Sequence, residues 1–181
     1  LYANVYLTVF SKEKFLRKAG LEVKVDRALY KLVPVKAVED VAGSRGQALK
    51  QRREKYERMK LEVGDTVESG DLIEVELSVE SKNDYSYLVF EDWKAAGLEA
   101  VELRSGHSYE GGLSSFVEYR DERVALFVRS LPRGRHNLSY RLRAEIPGSF
   151  SALPTRAEGM YAPELRGNSD EMKIVVRDRQ D

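Results

Sequence analysis

The residues of this chain whose types could do chemistry are few. They are two histidines, His107 and His136, and a serine-rich stretch around the first of them. Ser105, Ser108, Ser114 and Ser115 lie near His107 and Glu110, and a nucleophile, base and orienting carboxylate could be drawn from that set. The stretch lacks the GxSxG turn that lifts a nucleophilic serine off a strand. Both histidines sit in polar surroundings beside glycine. A metal site needs three or more converging ligands, and no such spacing is visible. Glu74 and Glu76 are two apart on an alternating segment, so both face solvent instead of flanking a substrate cleft. Gly111-Gly112 has no helical pattern after it and does not cradle phosphate. No catalytic residue or metal ligand is assigned and no cofactor is expected. The sequence reads as an interaction domain and not an enzyme.

Composition narrows the classes further. The 181 residues carry 30 basic and 30 acidic side chains, a net charge of zero. Nothing in that balance draws the chain toward nucleic acid or an acidic membrane surface. The 42% hydrophobic content supports a core, but no apolar run reaches the length of about 18 residues needed for a spanning helix. The absence of cysteine excludes disulfides, thiolate-bound zinc and a thiol nucleophile. The start at Leu1, directly before a strand pattern, suggests a piece cut from a larger protein.

The elements that must position any site are strands. YANVYLTVF, from Tyr2 to Phe10, alternates and is rich in β-branched and aromatic residues. Leu21 to Val33 alternates as well, with Pro34 ending or edging it. Residues 42 to 60 break the pattern: this charged excursion predicts a solvated loop or short surface helix, with Leu49, Tyr56 and Met59 on a thin apolar stripe. The cleanest alternation follows, with Ile73, Val75, Leu77 and Val79 on one face. Tyr85 to Glu91 and Leu98 to Leu103 are further strands, and Arg104 to Ser115 reads as a loop. Asp121-Glu122 is a candidate two-residue hairpin turn between the strands Phe116–Arg120 and Arg123–Arg129. Leu138, Tyr140, Leu142, Ala144 and Ile146 point inward, and Met172 to Arg177 closes the domain. Asn137-Leu138-Ser139 fits a glycosylation sequon. Roughly nine short strands predict an all-β antiparallel sandwich.

Between the last two strands, Pro154 to Ser169 reads as a loop containing Arg156, Glu158, Met160, Tyr161, Pro163, Glu164 and Arg166. A methionine–tyrosine pair either fills the domain's own core or offers a flat, polarizable surface to a partner. Tyr85, Tyr87 and Trp93 could instead form the aromatic platform of a carbohydrate-binding or adhesion module, the alternative reading.

The succession from Tyr119 to Ser169 (YRDERVALFVRSLPRGRHNLSYRLRAEIPGSFSALPTRAEGMYAPELRGNS) resembles the C-terminal end of bacterial alpha-2-macroglobulins. LEVGDTVESGDLIEVELSVES and YLVFEDWKAAGLEAV are similar to the upstream part of the same domain. The Leu131-Pro132-x-Gly134 turn, the Tyr140-to-Ala144 strand and the Met160-Tyr161-x-Pro163-Glu164 loop carry the resemblance. One departure is Asp92-Trp93-Lys94-Ala95-Ala96-Gly97, where the family has a proline-rich bend. The bend is expected to survive through Gly97, without proline stiffness.

The resemblance implies a macroglobulin-like (receptor-binding-like) sandwich over residues 21–178, after a strand and linker at 1–20 from a preceding domain and before a polar tail at 179–181. It also implies a parent that traps proteases: a bait segment is cut, the protein changes shape, and in many members of the family a thioester in another domain bonds to the attacker. The implied partners are the parent's thioester domain and, through the parent, target proteases. Nucleic acid and direct membrane insertion are not expected, and the implied place is periplasmic or extracellular. Met160 and Tyr161 would shield the thioester, with Glu158, Pro163, Glu164 and Arg166 supporting their loop.

Overall fold

The structure, a computed structural model, describes residues 15–35, 41–42, 48–49 and 55–179. It holds seventeen strands and no helix among the described residues. In chain order these are β1 (Ala19–Gly20), β2 (Val23–Val35), β3 (Val41–Ala42), β4 (Ala48–Leu49), β5 (Lys55–Leu61) and β6 (Thr66–Glu68). Then come β7 (Leu72–Ser81), β8 (Tyr85–Trp93), β9 (Leu98–Ala100), β10 (Gly106–Glu110), β11 (Leu113–Tyr119) and β12 (Arg123–Leu131). The last are β13 (Gly134–Ala144), β14 (Gly148–Ala152), β15 (Arg156–Gly159), β16 (Ala162–Asn168) and β17 (Met172–Arg177).

A seven-stranded sheet in the order β1-β16-β15-β8-β12-β11-β10 and a five-stranded sheet in the order β5-β2-β7-β13-β9 share one core. The expected all-β sandwich is present. The pairings are antiparallel except β17 with β6, which is parallel and completes a three-stranded sheet with β14. Period-two alternation puts Ile73, Val75, Leu77 and Val79 at no more than 1% exposure, against Leu88, Phe90, Val124, Leu126 and Val128 of the other sheet. Each fully buried leucine or phenylalanine of this kind stabilises by about 1.5–3 kcal/mol.

Several expectations are corrected. Of the charged excursion at 42 to 60, the described stretch from Lys55 onward is neither loop nor helix but belongs to an edge strand, Lys55–Leu61, zipped to β2 from Leu29↔Leu61 to Val35↔Lys55. Tyr56 and Met59 therefore fall on opposite faces, and Leu49 belongs to the β3–β4 pair. Charge suits an edge strand, which must not invite further pairing. Arg58 lies 4.0 Å from the Tyr30 ring centre and pairs with Glu74 and Glu76. Pro34 sits beyond the last β7 partner, where its missing N–H is not needed.

Residues 106–119 are a hairpin, not a loop. Gly111 and Gly112 both take positive φ (55° and 82°) and make its two-residue turn. Ile146 lies beyond the end of β13 and is exposed. The bend at Gly97 is closed by the Leu98 amide donating to the Ala95 carbonyl at 2.9 Å, and the Phe150 ring lies so close that a Cβ at Gly97 would clash at 2.3 Å. The strand expected at Tyr2 to Phe10 lies outside the described residues.

Two ionic side chains interrupt the apolar register. Arg27 follows Val23 and Val25 on the inner face of β2, and Asp92 follows Leu88 and Phe90 on the inner face of β8. They pair at 2.6 Å with side chains 2% exposed. Asp92 also accepts hydrogen bonds from the Tyr140 hydroxyl and, at 2.8 Å, from the Thr155 hydroxyl. Arg27 donates to the Ala152 and Leu153 carbonyls at 2.9 and 2.8 Å. Burial first, and the Asp92 carboxylate second, push the Tyr140 hydroxyl well above its ordinary value, so it stays a donor. Asp92→Ala strands a buried guanidinium and should destabilise by about 3–5 kcal/mol, read as a lowered urea midpoint. A midpoint within error of the wild type contradicts this role.

A second tie holds the segment before β1. Glu171 accepts from the Leu16 amide at 3.1 Å and from the Ser151 hydroxyl. The Ser151 hydrogen bond, with the Leu16 amide adding to it, lowers the Glu171 carboxyl below its ordinary 4.5. A carboxyl depressed on folding stabilises above its unfolded value, and that stabilisation is lost as pH falls through the folded one. The stability difference between wild type and Glu171→Gln should therefore be present at pH 7 and close below about pH 4.5. A difference that stays constant as the pH is lowered from 7 through 4.5 and on to acid unfolding rules the linkage out.

Candidate functional site

The expected loop at Pro154–Ser169 is a β-hairpin. β15 and β16 pair as Arg156↔Asn168, Ala157↔Gly167 and Glu158↔Arg166, then shift register so that Gly159 faces Ala162. Three residues, Pro163, Glu164 and Leu165, are thereby left in a bulge of β16. Proline is at home there because it has no amide to give. Leu165 is half-buried on the core, so the bulge is anchored from below. Pro163, Glu164 and Arg166 are exposed, while Glu158 is half-buried between Val89 and Arg166 in register.

Met160 and Tyr161 form the turn at the tip. They are 47% and 81% exposed, so they are not core filling. β15 also pairs with β8, which makes the hairpin an extension of the main sheet and not a free flap. The Met160 amide donates to the Tyr87 carbonyl at 2.8 Å. Tyr87 has a φ of 59°, the one positive φ outside glycine among the described residues. A left-handed conformation at a bulky residue costs about 1–2 kcal/mol. The Tyr87 and Tyr161 rings meet edge-on, 5.5 Å apart and 80° inclined. The tip thus consists of two apolar side chains held by a strained tyrosine and a hydrogen bond.

The other candidates are dispersed. Glu110 accepts from the Ser139 amide and hydroxyl at 2.8 and 2.7 Å, and although His107 and Ser108 line the same cleft no hydrogen bond joins them to Glu110 among the described residues. Ser105 accepts from the Tyr119 amide at 3.4 Å, and the buried Ser115 hydroxyl has no hydrogen-bond partner among the described residues. The His107 ring meets Phe116 edge-on, and His136 Nε2 lies 2.8 Å from the Pro132 carbonyl. No serine–histidine–carboxylate chain forms among the described residues. A polar cleft of about 490 Å³ beside β10 contains Glu74, Glu102, Arg104, Glu110 and Arg141. Glu102 there accepts from the Tyr119 hydroxyl, which burial first and Glu102 second raise above its ordinary value. Tyr85, Tyr87 and Trp93 do not share a platform: Tyr85 packs on the core with its hydroxyl on Glu22, and Arg123 lies over Trp93 at the other end of β8.

Sequence reasoning singled out Met160 and Tyr161, which the structure leaves exposed, but missed Tyr87 beside them. A positive φ at tyrosine leaves no composition signal. Arg27 and Asp92 had a usable one, since each is a charge at an apolar position of an alternating strand.

Fold and tip together define a macroglobulin-like β-sandwich with an exposed aromatic hairpin. A family model described as Bacterial Alpha-2-macroglobulin MG10 domain matches residues 44–164, and the chain belongs to that family. It is similar to an alpha-2-macroglobulin homolog of Nostoc sp., 28% identical over 124 residues, covering 63% of this chain and 6% of that protein. It is also similar to circularly permutated Ras protein 2 of Dictyostelium discoideum, 28% identical over 110 residues, covering 61% of this chain and 3% of that protein. The crystal structure of Salmonella alpha-2-macroglobulin reacted with methylamine superposes with a TM-score of 0.60 at 21% identity, over 89% of this chain and 10% of that one. The chain spans a tenth or less of the length of these relatives. It is a domain of an alpha-2-macroglobulin-like protein.

Tyr87→Gly should relieve the backbone strain yet loosen the tip. Hydrogen exchange at Met160 and Tyr161 should quicken by a factor of about 2–10, the equivalent of one edge-on ring pair of 0.5–1.5 kcal/mol, with no fall in melting temperature. Unchanged exchange would show that the ring contact does not hold the tip.

Proposed function

We propose that this domain is a non-catalytic cover for the thioester domain of its parent, a protease-trapping protein of the periplasm or the extracellular space. The observation that carries the reading is the tip, where two large apolar side chains stand in solvent on a hairpin built into the main sheet. A strained thioester hydrolyses unless water is kept from it. A thioether and an aromatic ring offer a dry, polarizable surface for that purpose. The chain has no cysteine, so it holds no thioester itself.

Cutting the bait segment would bias a two-state interface: the tip seated before cleavage and released afterward. Target proteases would be met by the parent, not by this domain. In a parent without a reactive thioester, the tip would be an ordinary interdomain contact.

The test is a Met160→Ala, Tyr161→Ala double variant of the full-length parent. Its thioester lifetime before protease treatment should shorten about tenfold or more, the equivalent of at least about 1.4 kcal/mol of lost cover. A lifetime equal to that of the wild type eliminates the shielding role.

A further inference from the structure

Strands β9 and β10 are both outermost in their sheets. β9 ends the five-stranded sheet and pairs only with β13, and β10 ends the seven-stranded sheet and pairs only with β11. The link between these two edges, Val101 to Ser105, is exposed at all five residues. The Val101 amide donates to the Arg141 carbonyl, but from Glu102 to Ser105 no backbone group hydrogen-bonds to another among the described residues. Two side-chain ties to Tyr119 bracket the middle of the link: Glu102 accepts from its hydroxyl at 2.8 Å, and the Ser105 hydroxyl accepts from its amide at 3.4 Å. Leu103, 83% exposed, and Arg104 lie between these ties. The Arg104 side chain is exposed and makes no hydrogen bond, ion pair or ring contact among the described residues. Lys18, Lys82, Lys94, Arg120 and Arg133 also lie outside the strands, but each donates its own amide to a neighbour.

We propose that the Arg104–Ser105 bond is a cleavage site for serine proteases that select arginine. Such an enzyme binds its substrate as an added strand, through the substrate's backbone N–H and C=O groups, and takes the basic side chain into a pocket with a carboxylate at its base. The link offers both an unpaired backbone and an unpaired guanidinium. Room to fit it comes from fraying at the two edges, since β9 is three residues long and held on one side only. The protease's serine attacks the Arg104 carbonyl, the Ser105 amine leaves with the proton from the protease's histidine, and water then frees Arg104 as a carboxylate. The cut does not divide the domain. The part before it supplies β8, which lies between β15 and β12, and the part after it supplies β13, which lies between β7 and β9. Each part is thus locked into both large sheets. What changes is the polar cleft, whose lining contains Glu102 and Arg104 on one side of the cut and Gly106 and His107 on the other. Its wall gains a carboxylate and an ammonium and loses the bond that joined them. This site stands apart from the reading of the tip.

The test digests the 181-residue chain and, beside it, the full-length parent with trypsin under native conditions, and reads new N-termini by mass spectrometry. A fragment beginning at Ser105 should form at least about a hundredfold faster than ends after the strand residues Arg129 and Arg141, because an edge opens at far lower cost than the whole sandwich. Arg104→Gln should remove that fragment and Arg104→Lys should keep it, with the melting temperature unchanged in both. The two parts of the cut chain should elute together from a sizing column until urea is added. A Ser105 end that appears no faster than the strand ends shows a bond opened only by global unfolding, and overturns the site. A Ser105 end formed in the isolated chain but missing from the parent overturns it as well, because the link is then covered. Parts that separate without denaturant overturn the interlocking of the two halves.

Discussion

The Arg27–Asp92 pair is the constraint on which the rest of the molecule depends. It stands where the two large sheets face each other and reaches four separate parts of the chain. Asp92 ties β8 to β2 through Arg27, to β13 through Tyr140, and to the start of the β15–β16 hairpin through Thr155. Arg27 adds the end of β14 through the Ala152 and Leu153 carbonyls. Replacing such a network with apolar side chains could give an equally stable core. What an ion pair adds is a fixed register, because a one-residue slip of β2 or β8 would strand a charge in the core. That register sets where the hairpin leaves the sheet, and hence where its tip stands.

The tip follows from this frame and departs from it in one respect. β15 pairs with β8 and β16, and the bulge at Pro163–Leu165 lets the hairpin turn at Met160 and Tyr161 without glycine. Most of the molecule obeys local preference. Tyr87 does not, and its left-handed backbone coincides with the most exposed aromatic ring next to it. Strain retained beside exposed apolar surface is what a preorganised contact requires: the surface is held in its binding shape before the partner arrives.

The sandwich was legible in the sequence because alternation states directly which face is buried, as at Ile73 to Val79 and Val124 to Val128. It was less legible where side chains answer to something other than the core. Lys55–Leu61 is charged on both faces, so its pattern does not separate strand from loop; only its pairing with β2 makes it a strand. Gly111-Gly112 was a two-residue hairpin signal that the polar serines around it obscured. Met160 and Tyr161 were visible as unusual residues, and the resemblance to bacterial alpha-2-macroglobulins gave them a role. Their exposure depended on the Glu158/Gly159 register shift, which no local preference announces.

The central claim is that an exposed hairpin, braced by a strained tyrosine, is the face this domain turns toward another part of its parent. An experimental structure of the intact parent before any cleavage tests it most directly. The account predicts the Tyr161 ring buried against a neighbouring domain, with Tyr87 still in its left-handed conformation behind it. A tip surrounded by solvent in the uncleaved parent, with no neighbour within contact distance, would contradict it.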